Sequence, residues 1–196
     1  MKVGRRPKFT RQDMVDAALE LAAAVGPQRV TMLGLARALK APTGSIYHRF
    51  ESREHLLAEV WMDVVEEFQG GFVKALADAD DVEGAVRVTR QTLAWTRNHL
   101  REARLLLLHR RQDFVPGGWP PHLVARAAAL EPAVLKALRA FSRRVLGRSD
   151  AEAMARVRFA LLDAPLGGIK PYLQGGKKPP RVLDALVSET LRAALG

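Results

Sequence analysis

Apolar residues recur along this chain at the three- and four-residue spacing of a helix face. The first predicted helix begins at Thr10, whose hydroxyl can cap the exposed amides, and Asp13 completes a variant of the capping box. The glycine and proline of residues 26–28 end this helix. Its apolar face consists of Met14, Ala17, Ala18, Leu21 and Val25.

Three further helices are predicted in the N-terminal part of the chain. Thr31 caps a short second helix, a third covers residues 43–50, and Ser52 caps a fourth that continues to about Leu76. The sequence has no alternating apolar and polar runs, and β-branched and aromatic residues are sparse, so no strand is predicted. The pattern predicts an all-α fold in which three compact helices precede a long one.

The rest of the chain has the pattern of longer helices separated by turn residues. Aspartates at residues 78–81 are expected to cap a helix, residues 116–121 are the clearest loop, and residues 165–171 kink or end a helix. A linker at residues 174–180 leads to the last helix, residues 180–195. Either the same chain or a second copy must cover the apolar stripe of that helix. The stripe consists of Val182, Leu183, Leu186, Val187, Thr190, Leu191 and Ala194.

Composition restricts the class of protein further. The 196 residues have a formal net charge of +10 and a pI near 10.6, which favours anionic partners, although a basic surface can also serve solubility alone. The sequence has no cysteine, which excludes disulfides and cysteine-based zinc sites. No apolar signal segment follows the basic start, and the longest aliphatic run, residues 105–108, is too short to span a membrane. A soluble cytoplasmic protein is therefore expected.

Residues 39–50, LKAPTGSIYHRF, contain a turn and a short helix with an unusually polar surface. Two short helices joined by such a turn are the layout of a helix-turn-helix, whose second helix enters the major groove of DNA. Ile46 and Phe50 share the buried face, and Gly44 allows close approach of the backbone. The basic residues 1–8 could form an arm along a groove. The remaining side chains can bond phosphates and base edges: Thr43, Ser45, Tyr47, His48 and Arg49.

The order of features over residues 9–57 resembles the DNA-binding domain of the TetR family of transcriptional regulators. The matching features are the G…VT start of the second helix, its LA…L pattern, and the runs GSIYHRF and SRE…LL that follow. The resemblance implies a helix-turn-helix domain with a basic arm at residues 1–52. It also implies an all-helical effector-binding and dimerisation domain at residues 53–196.

The same resemblance implies which residues contact DNA. The five polar residues of the recognition helix would do so, Thr31 would lie beside a phosphate, and Arg53 takes the place of a phosphate-binding lysine. Two positions depart from the family pattern. Lys40 stands where glycine is usual, and a lysine forced to positive φ costs on the order of 1 kcal/mol. Pro42 replaces a capping serine or threonine, which a first helical turn tolerates because it needs no amide there.

These features together predict a sequence-specific DNA-binding transcriptional regulator, in the first instance a repressor released from a palindromic operator by a small-molecule effector. A palindromic operator has two half-sites, and two DNA-binding domains are needed to occupy them, which requires a homodimer. Its interface is assigned to the last helix and residues 151–166 (Met154, Val157, Leu161 and Leu162), with an intrachain bundle as the alternative.

The middle helices, residues 82–146, are predicted to enclose the effector. Aromatic bodies with polar tips suit a mostly apolar pocket, although each such residue can equally be plain core. The candidates for the lining are Trp95, His99, His109, Phe114 and Trp119.

Two other classes of function remain open at this stage. An enzyme would need a catalytic arrangement, but the five histidines form no HExxH pair and no phosphate-binding or nucleophile motif occurs. No catalytic residue, metal site or cofactor is therefore predicted. A binder of nucleic acid or acidic membranes driven by charge alone would show steep salt dependence without sequence preference.

Overall fold

A computed structural model of the chain describes residues 9–115 and 118–196, and every regular element over these ranges is helical. The predicted basic arm, residues 1–8, and residues 116–117 of the predicted loop lie outside the described residues. The helices are α1 (Arg11–Val25), α2 (Met32–Leu39), α3 (Thr43–Tyr47), α4 (Arg53–Ala77), α5 (Val82–Asn98), α6 (Leu100–Leu108), α7 (Arg111–Phe114), α8 (Pro121–Leu146), α9 (Ala151–Arg158), α10 (Ala164–Gln174) and α11 (Val182–Leu195). A 3-10 turn, Pro27–Arg29, follows α1, and a π-helical segment, Phe159–Asp163, joins α9 to α10.

Local capping explains where the first helices begin. The Asp13 amide donates to the Thr10 hydroxyl at 3.1 Å, and the Thr10 amide donates back to the Asp13 carboxylate at 2.7 Å. This is the predicted capping box, and its hydrogen bonds hold the pKa of Asp13 below the usual range. The hydroxyl of Ser52 accepts the His55 amide, and Asp81 accepts the Gly84 amide. The predicted caps at these positions are confirmed.

The chain divides into two compact units. The first contains the described residues up to Asp63 and those of Arg110–Val124; the second contains Val64–His109 and Ala125–Gly196. The core of the first unit is built from the apolar faces of α1, α2 and the start of α4. Its fully buried side chains include Ala18, Leu35, Ile46, Phe50, Leu56 and Leu57.

The second unit is a helical bundle in which α11 packs along α5. Its main cluster joins side chains of α4, α5, α8, α9 and α11, with Phe141, Val157 and Leu191 fully buried. Three threonines inside α5 are buried as well, and each hydroxyl is satisfied because it donates to a carbonyl of the preceding turn: Thr89, Thr92 and Thr96.

The second unit also shows where local sequence signals were insufficient. The predicted interruption at residues 165–171 does not end a helix, because α10 continues to Gln174. Pro165 directly follows the π-helical segment, in which the Ala164 amide bonds to the Phe159 carbonyl, and Pro171 near the end removes only one hydrogen bond. The last helix begins at Val182, two residues after the predicted start.

Candidate nucleic-acid interface

The turn between α2 and α3 is held by backbone hydrogen bonds around Lys40. Lys40 adopts the left-handed conformation, with φ 51° and ψ 40°, so the chain accepts the strain and does not rebuild the turn. Its amide donates to the Arg37 carbonyl at 3.1 Å, and the Ala41 amide donates to the Ala36 carbonyl at 2.9 Å. These two bonds form a Schellman motif, which satisfies the last carbonyls of α2. The turn therefore keeps its usual geometry with lysine in place of glycine.

Helix α3 is short, and two buried residues fix it to the unit. It begins after Pro42, which has φ −61° and no side-chain cap, and ends at Tyr47 rather than at the predicted Phe50. The amides of Arg49 and Phe50 still donate to the Ile46 carbonyl, so a tight turn continues the helix. Ile46 and Phe50 are fully buried, as their four-residue spacing predicts.

The predicted DNA-contacting side chains of α3 lie on the surface. Ser45, Tyr47, His48 and Arg49 are exposed, and Thr43 is half-buried. Tyr47 is 52% exposed, an unusual position for a large aromatic residue within a well-packed unit. Their hydroxyl, imidazole and guanidinium groups form a continuous set of donors suited to phosphates and base edges.

Gly44 shows that the first turn of α3 is not shaped by internal packing. A Cβ built at this position would meet no atom within 4 Å, and the residue is exposed. The fold itself therefore has no steric need for glycine here. A partner whose surface approaches the backbone at this point would supply one.

Thr31 and Arg53 have structural roles that leave donors available. The Thr31 hydroxyl accepts the Gly34 amide at 2.9 Å, and its own hydrogen is not used in that bond. Arg53 donates from Nε to the Val30 carbonyl at 2.6 Å and from Nη2 to the Pro27 carbonyl at 2.6 Å. It therefore braces the segment before α2, and because Nη1 also donates to Glu54 at 3.1 Å, two of the five N–H groups remain beyond these bonds.

Among the described residues, several exposed basic side chains in this part of the chain form no ion pair. Within residues 9–115 and 118–196 the structure gives no ion pair to four exposed basic residues near the turn: Arg29, Arg37, Lys40 and Arg49. Cations without intramolecular partners are available to an anionic ligand.

The five predicted effector-lining residues are divided between the two units. Trp95 and His99 stack in the second unit, with ring centroids 5.1 Å apart. Trp95 lines a small cleft of about 40 Å³ between α4 and α5. His109 is the last residue of the first of the two segments that form the second unit. In the first unit, Phe114 is fully buried and the Trp119 ring contacts the Trp61 ring. Phe68 and Phe72, which were not among the predicted lining residues, also line the cleft. Their four-residue spacing places both on one face of α4, and this spacing is visible in the sequence.

The fold and this surface define the structural class of the protein, which is all-helical with an N-terminal helix-turn-helix and a larger helical unit. Residues 14–60 match the family model described as bacterial regulatory proteins, tetR family. This match covers α2, the turn and α3, so the predicted resemblance to the TetR family is confirmed.

Solved structures extend the likeness over nearly the whole chain. A TetR family regulator, PfmR from Thermus thermophilus, is 18% identical with a TM-score of 0.68, covering 93% of this chain and 96% of that one. The regulator FadR from Bacillus subtilis, solved with stearoyl-CoA, is 14% identical with a TM-score of 0.70, covering 95% and 98%. At such identities the likeness establishes the fold: the chain has the TetR all-helical fold. No curated protein sequence matches the chain significantly.

No helix in the described part of the chain combines the length and the apolar character that crossing a membrane requires.

Proposed function

We propose that this protein is a sequence-specific DNA-binding transcriptional regulator that acts as a homodimer and represses until a small-molecule effector releases it from a palindromic operator. One observation carries the proposal. The segment that matches the TetR family model is also the segment that presents exposed donors on a short helix, and these donors have no partner among the described residues.

The proposed contacts with DNA follow from the position of each group. Ser45, Tyr47, His48 and Arg49 would reach base edges and phosphates from α3, with Thr43 at its first residue. The Thr31 hydroxyl and the remaining Arg53 donors would bond phosphates, fixing the register of the unit on the duplex. Gly44 would allow the start of α3 to approach the DNA closely.

The homodimer is supported by what remains uncovered on the last helices. Part of the predicted stripe is already buried within the chain, including Leu183, Val187 and Leu191. Val182 is 57% exposed, Leu186 50% and Phe159 47%, so an apolar surface is left beside the buried part. A two-fold partner that covers these residues would remove it from water.

The cleft between α4 and α5 is the proposed effector site. Phe68, Phe72 and Trp95 make its lining largely apolar. The Trp95 Nε1 atom is buried and has no hydrogen-bond partner within the described residues. Burying a donor without a partner costs about 1–3 kcal/mol, so a ligand with an acceptor group near this atom would gain affinity. Stearoyl-CoA, the ligand present in the FadR structure, is a reasonable first probe of this cleft.

Release by the effector requires differential affinity between two conformations. The two DNA-binding domains of the dimer fit the operator in one conformation and are wrongly spaced in the other. A ligand that favours the second conformation lowers operator affinity by up to the ratio of its affinities for the two conformations. The effector claim is tested by adding stearoyl-CoA to the protein–operator complex. Replacing Trp95 with phenylalanine removes the indole donor while keeping an aromatic ring, and should weaken the response.

Selection from a random double-stranded DNA library at physiological salt tests the DNA-binding claim. The expected result is an enriched palindrome with the wild-type chain and with Arg139→Ala, a control that removes an exposed arginine from α8. The double variant Tyr47→Ala/Arg49→Ala should enrich nothing. Binding that only fades with rising salt, without enrichment, would support the charge-driven alternative.

A further inference from the structure

Three side chains that could ligate a metal ion lie together in the first unit. His55 and Glu59 are one turn apart on α4, and His122 is the second residue of α8. The Glu59 Oε1 atom is 3.7 Å from His55 Nε2 and 3.7 Å from His122 Nε2. Over residues 9–115 and 118–196 this is the only group of three potential ligands whose atoms lie within 4.8 Å of one another.

The fold orients the carboxylate of this group. The Glu59 side chain is 7% exposed, and its Oε2 atom is 2.5 Å from Nη2 of Arg11. Because Arg11 holds Oε2, the other oxygen is directed toward the two imidazoles. A buried carboxylate is costly unless positive charge surrounds it, so a cation beside Oε1 would add to the positive charge that Arg11 supplies at Oε2.

The two imidazoles are positioned by ring contacts. The His55 ring lies edge-on to Phe50, with centroids 5.6 Å apart, and edge-on to His122, with centroids 5.0 Å apart. Ring contacts of this kind restrict rotation of a histidine before any ligand binds.

We infer that His55 Nε2, Glu59 Oε1 and His122 Nε2 bind a divalent transition-metal ion. Tetrahedral zinc with ligands at about 2.0–2.2 Å places ligand atoms roughly 3.3–3.5 Å apart, so the two 3.7 Å pairs need only small movements. Two imidazoles and one carboxylate suit zinc, nickel or copper. Calcium and magnesium prefer sites made only of oxygen ligands.

The site leaves room for a further ligand. An open cleft of about 300 Å³ is lined by His55 and His122 together with Ser52, Glu54 and Trp119. Three protein ligands with an open fourth position are the pattern of metal sites that also bind water or a small molecule. The sequence predicts no metal site, because His122 is far from His55 in the chain and only the fold brings it to Glu59.

Calorimetry with Zn²⁺ alone tests the inference on the untagged, chelator-treated full chain, in the absence of DNA. The wild type should bind one ion per chain, and His99→Gln, a control in the second unit, should bind it equally. His122→Gln should weaken binding at least about tenfold. The His122 side chain is 55% exposed, so this variant is expected to fold, and circular dichroism checks that it does.

Thermal unfolding provides a second readout. Zn²⁺ should raise the Tm of the wild type and of His99→Gln but not that of His122→Gln, since a ligand that binds only the folded state stabilises it. Wild-type protein that binds no zinc, or His122→Gln that binds as tightly as wild type, would overturn the inference. Neither measurement involves DNA. A protein that binds no zinc can still be a DNA-binding regulator, and a protein without sequence-specific DNA binding can still bind zinc.

Discussion

The arginines around the α2–α3 turn and the arginines of the helical bundle have opposite surroundings. Arg29, Arg37 and Arg49 are exposed and form no ion pair within the described residues. In the second unit, Arg97 and Arg144 each reach several acceptors in other helices or loops. The same residue type therefore serves two purposes, depending on whether the chain supplies its own acceptors.

Arg97 illustrates the paired situation. It donates to the Asp184 carboxylate through both Nη atoms, at 2.7 and 3.2 Å, and to the carbonyls of Pro179 and Pro180 at 2.8 and 3.1 Å. Only 13% of its side chain is exposed. A bidentate pair of this kind joins α5 to the start of α11. Arg49 has no such intramolecular partner within the described residues, so its donors are available to another molecule.

The largest expected effect is the loss of stability on replacing Arg97 with alanine. The change leaves the Asp184 carboxylate and two carbonyls without their donor, and it should cost about 2–3 kcal/mol of unfolding free energy. Urea unfolding followed by circular dichroism measures it. Arg49→Ala is the matched control and should change stability by less than about 0.5 kcal/mol. Equal effects of the two changes would remove the distinction between paired and unpaired arginines.

Arg49→Ala and Tyr47→Ala should have the opposite profile, with loss of DNA affinity and little loss of stability. Each is expected to weaken binding to the selected operator by about 1–3 kcal/mol, because donors to base edges or phosphates are removed. Fluorescence anisotropy with a labelled duplex measures the change. If both variants retained wild-type operator affinity, these residues would not be part of the interface.

Gly44→Ala separates folding from DNA binding most cleanly. Among the described residues, the added methyl meets no atom within 4 Å apart from its chain neighbours and its own helix backbone. Alanine favours a helix over glycine by up to about 1 kcal/mol, so stability should be unchanged or higher. Operator affinity should fall about tenfold, equivalent to about 1.4 kcal/mol, because the backbone can no longer approach as closely. A variant that binds as well as wild type would show that α3 does not approach DNA at its first turn.

Lys40→Gly should raise stability by up to about 1 kcal/mol, because glycine adopts the left-handed conformation without strain. Lys40→Ala is the control, since it removes the charge and keeps the strain. Thermal unfolding compares the three proteins. A stabilisation shared by both variants would assign the effect to the lost charge instead of the backbone.

The smallest expected effect concerns the pair of Arg192 with Glu83. Hydrogen bonds from Arg192 hold the pKa of Glu83 below its ordinary value of 4.5. The pair therefore stabilises the fold above that value, and its contribution is lost as the pH falls through the lower folded-state pKa. Between about pH 5 and about pH 3, wild type should lose slightly more stability than Glu83→Gln, as measured by unfolding at several pH values. Parallel pH profiles would contradict this prediction.

Local features of the fold were readable from the sequence because short-range chemistry determines them. Thr10, Thr31 and Asp81 cap helices as predicted, since each needs only an amide three residues away. The conformation of Lys40 was not predicted in this way, because the strain of a left-handed lysine left a rebuilt turn as an alternative.

Features that depend on distant parts of the chain were not readable in the same way. The stripe on the last helix was predicted, but which part α5 covers depends on packing between distant segments. Trp95 and Trp119 have similar chemistry in the sequence, yet the fold places them in different units beside different clefts. A helical period shows that a face is apolar and does not show what covers it.

The ratio of two affinities tests the central claim most directly. The wild-type chain is titrated with its selected palindrome and with a scrambled duplex of equal length and composition, at several salt concentrations. For a sequence-specific regulator, we expect the palindrome to bind at least about a thousandfold more tightly than the scrambled duplex at physiological salt, and Arg49→Ala to reduce this ratio. A ratio near one at every salt concentration would contradict it, and would leave a basic helical protein that binds DNA through charge alone.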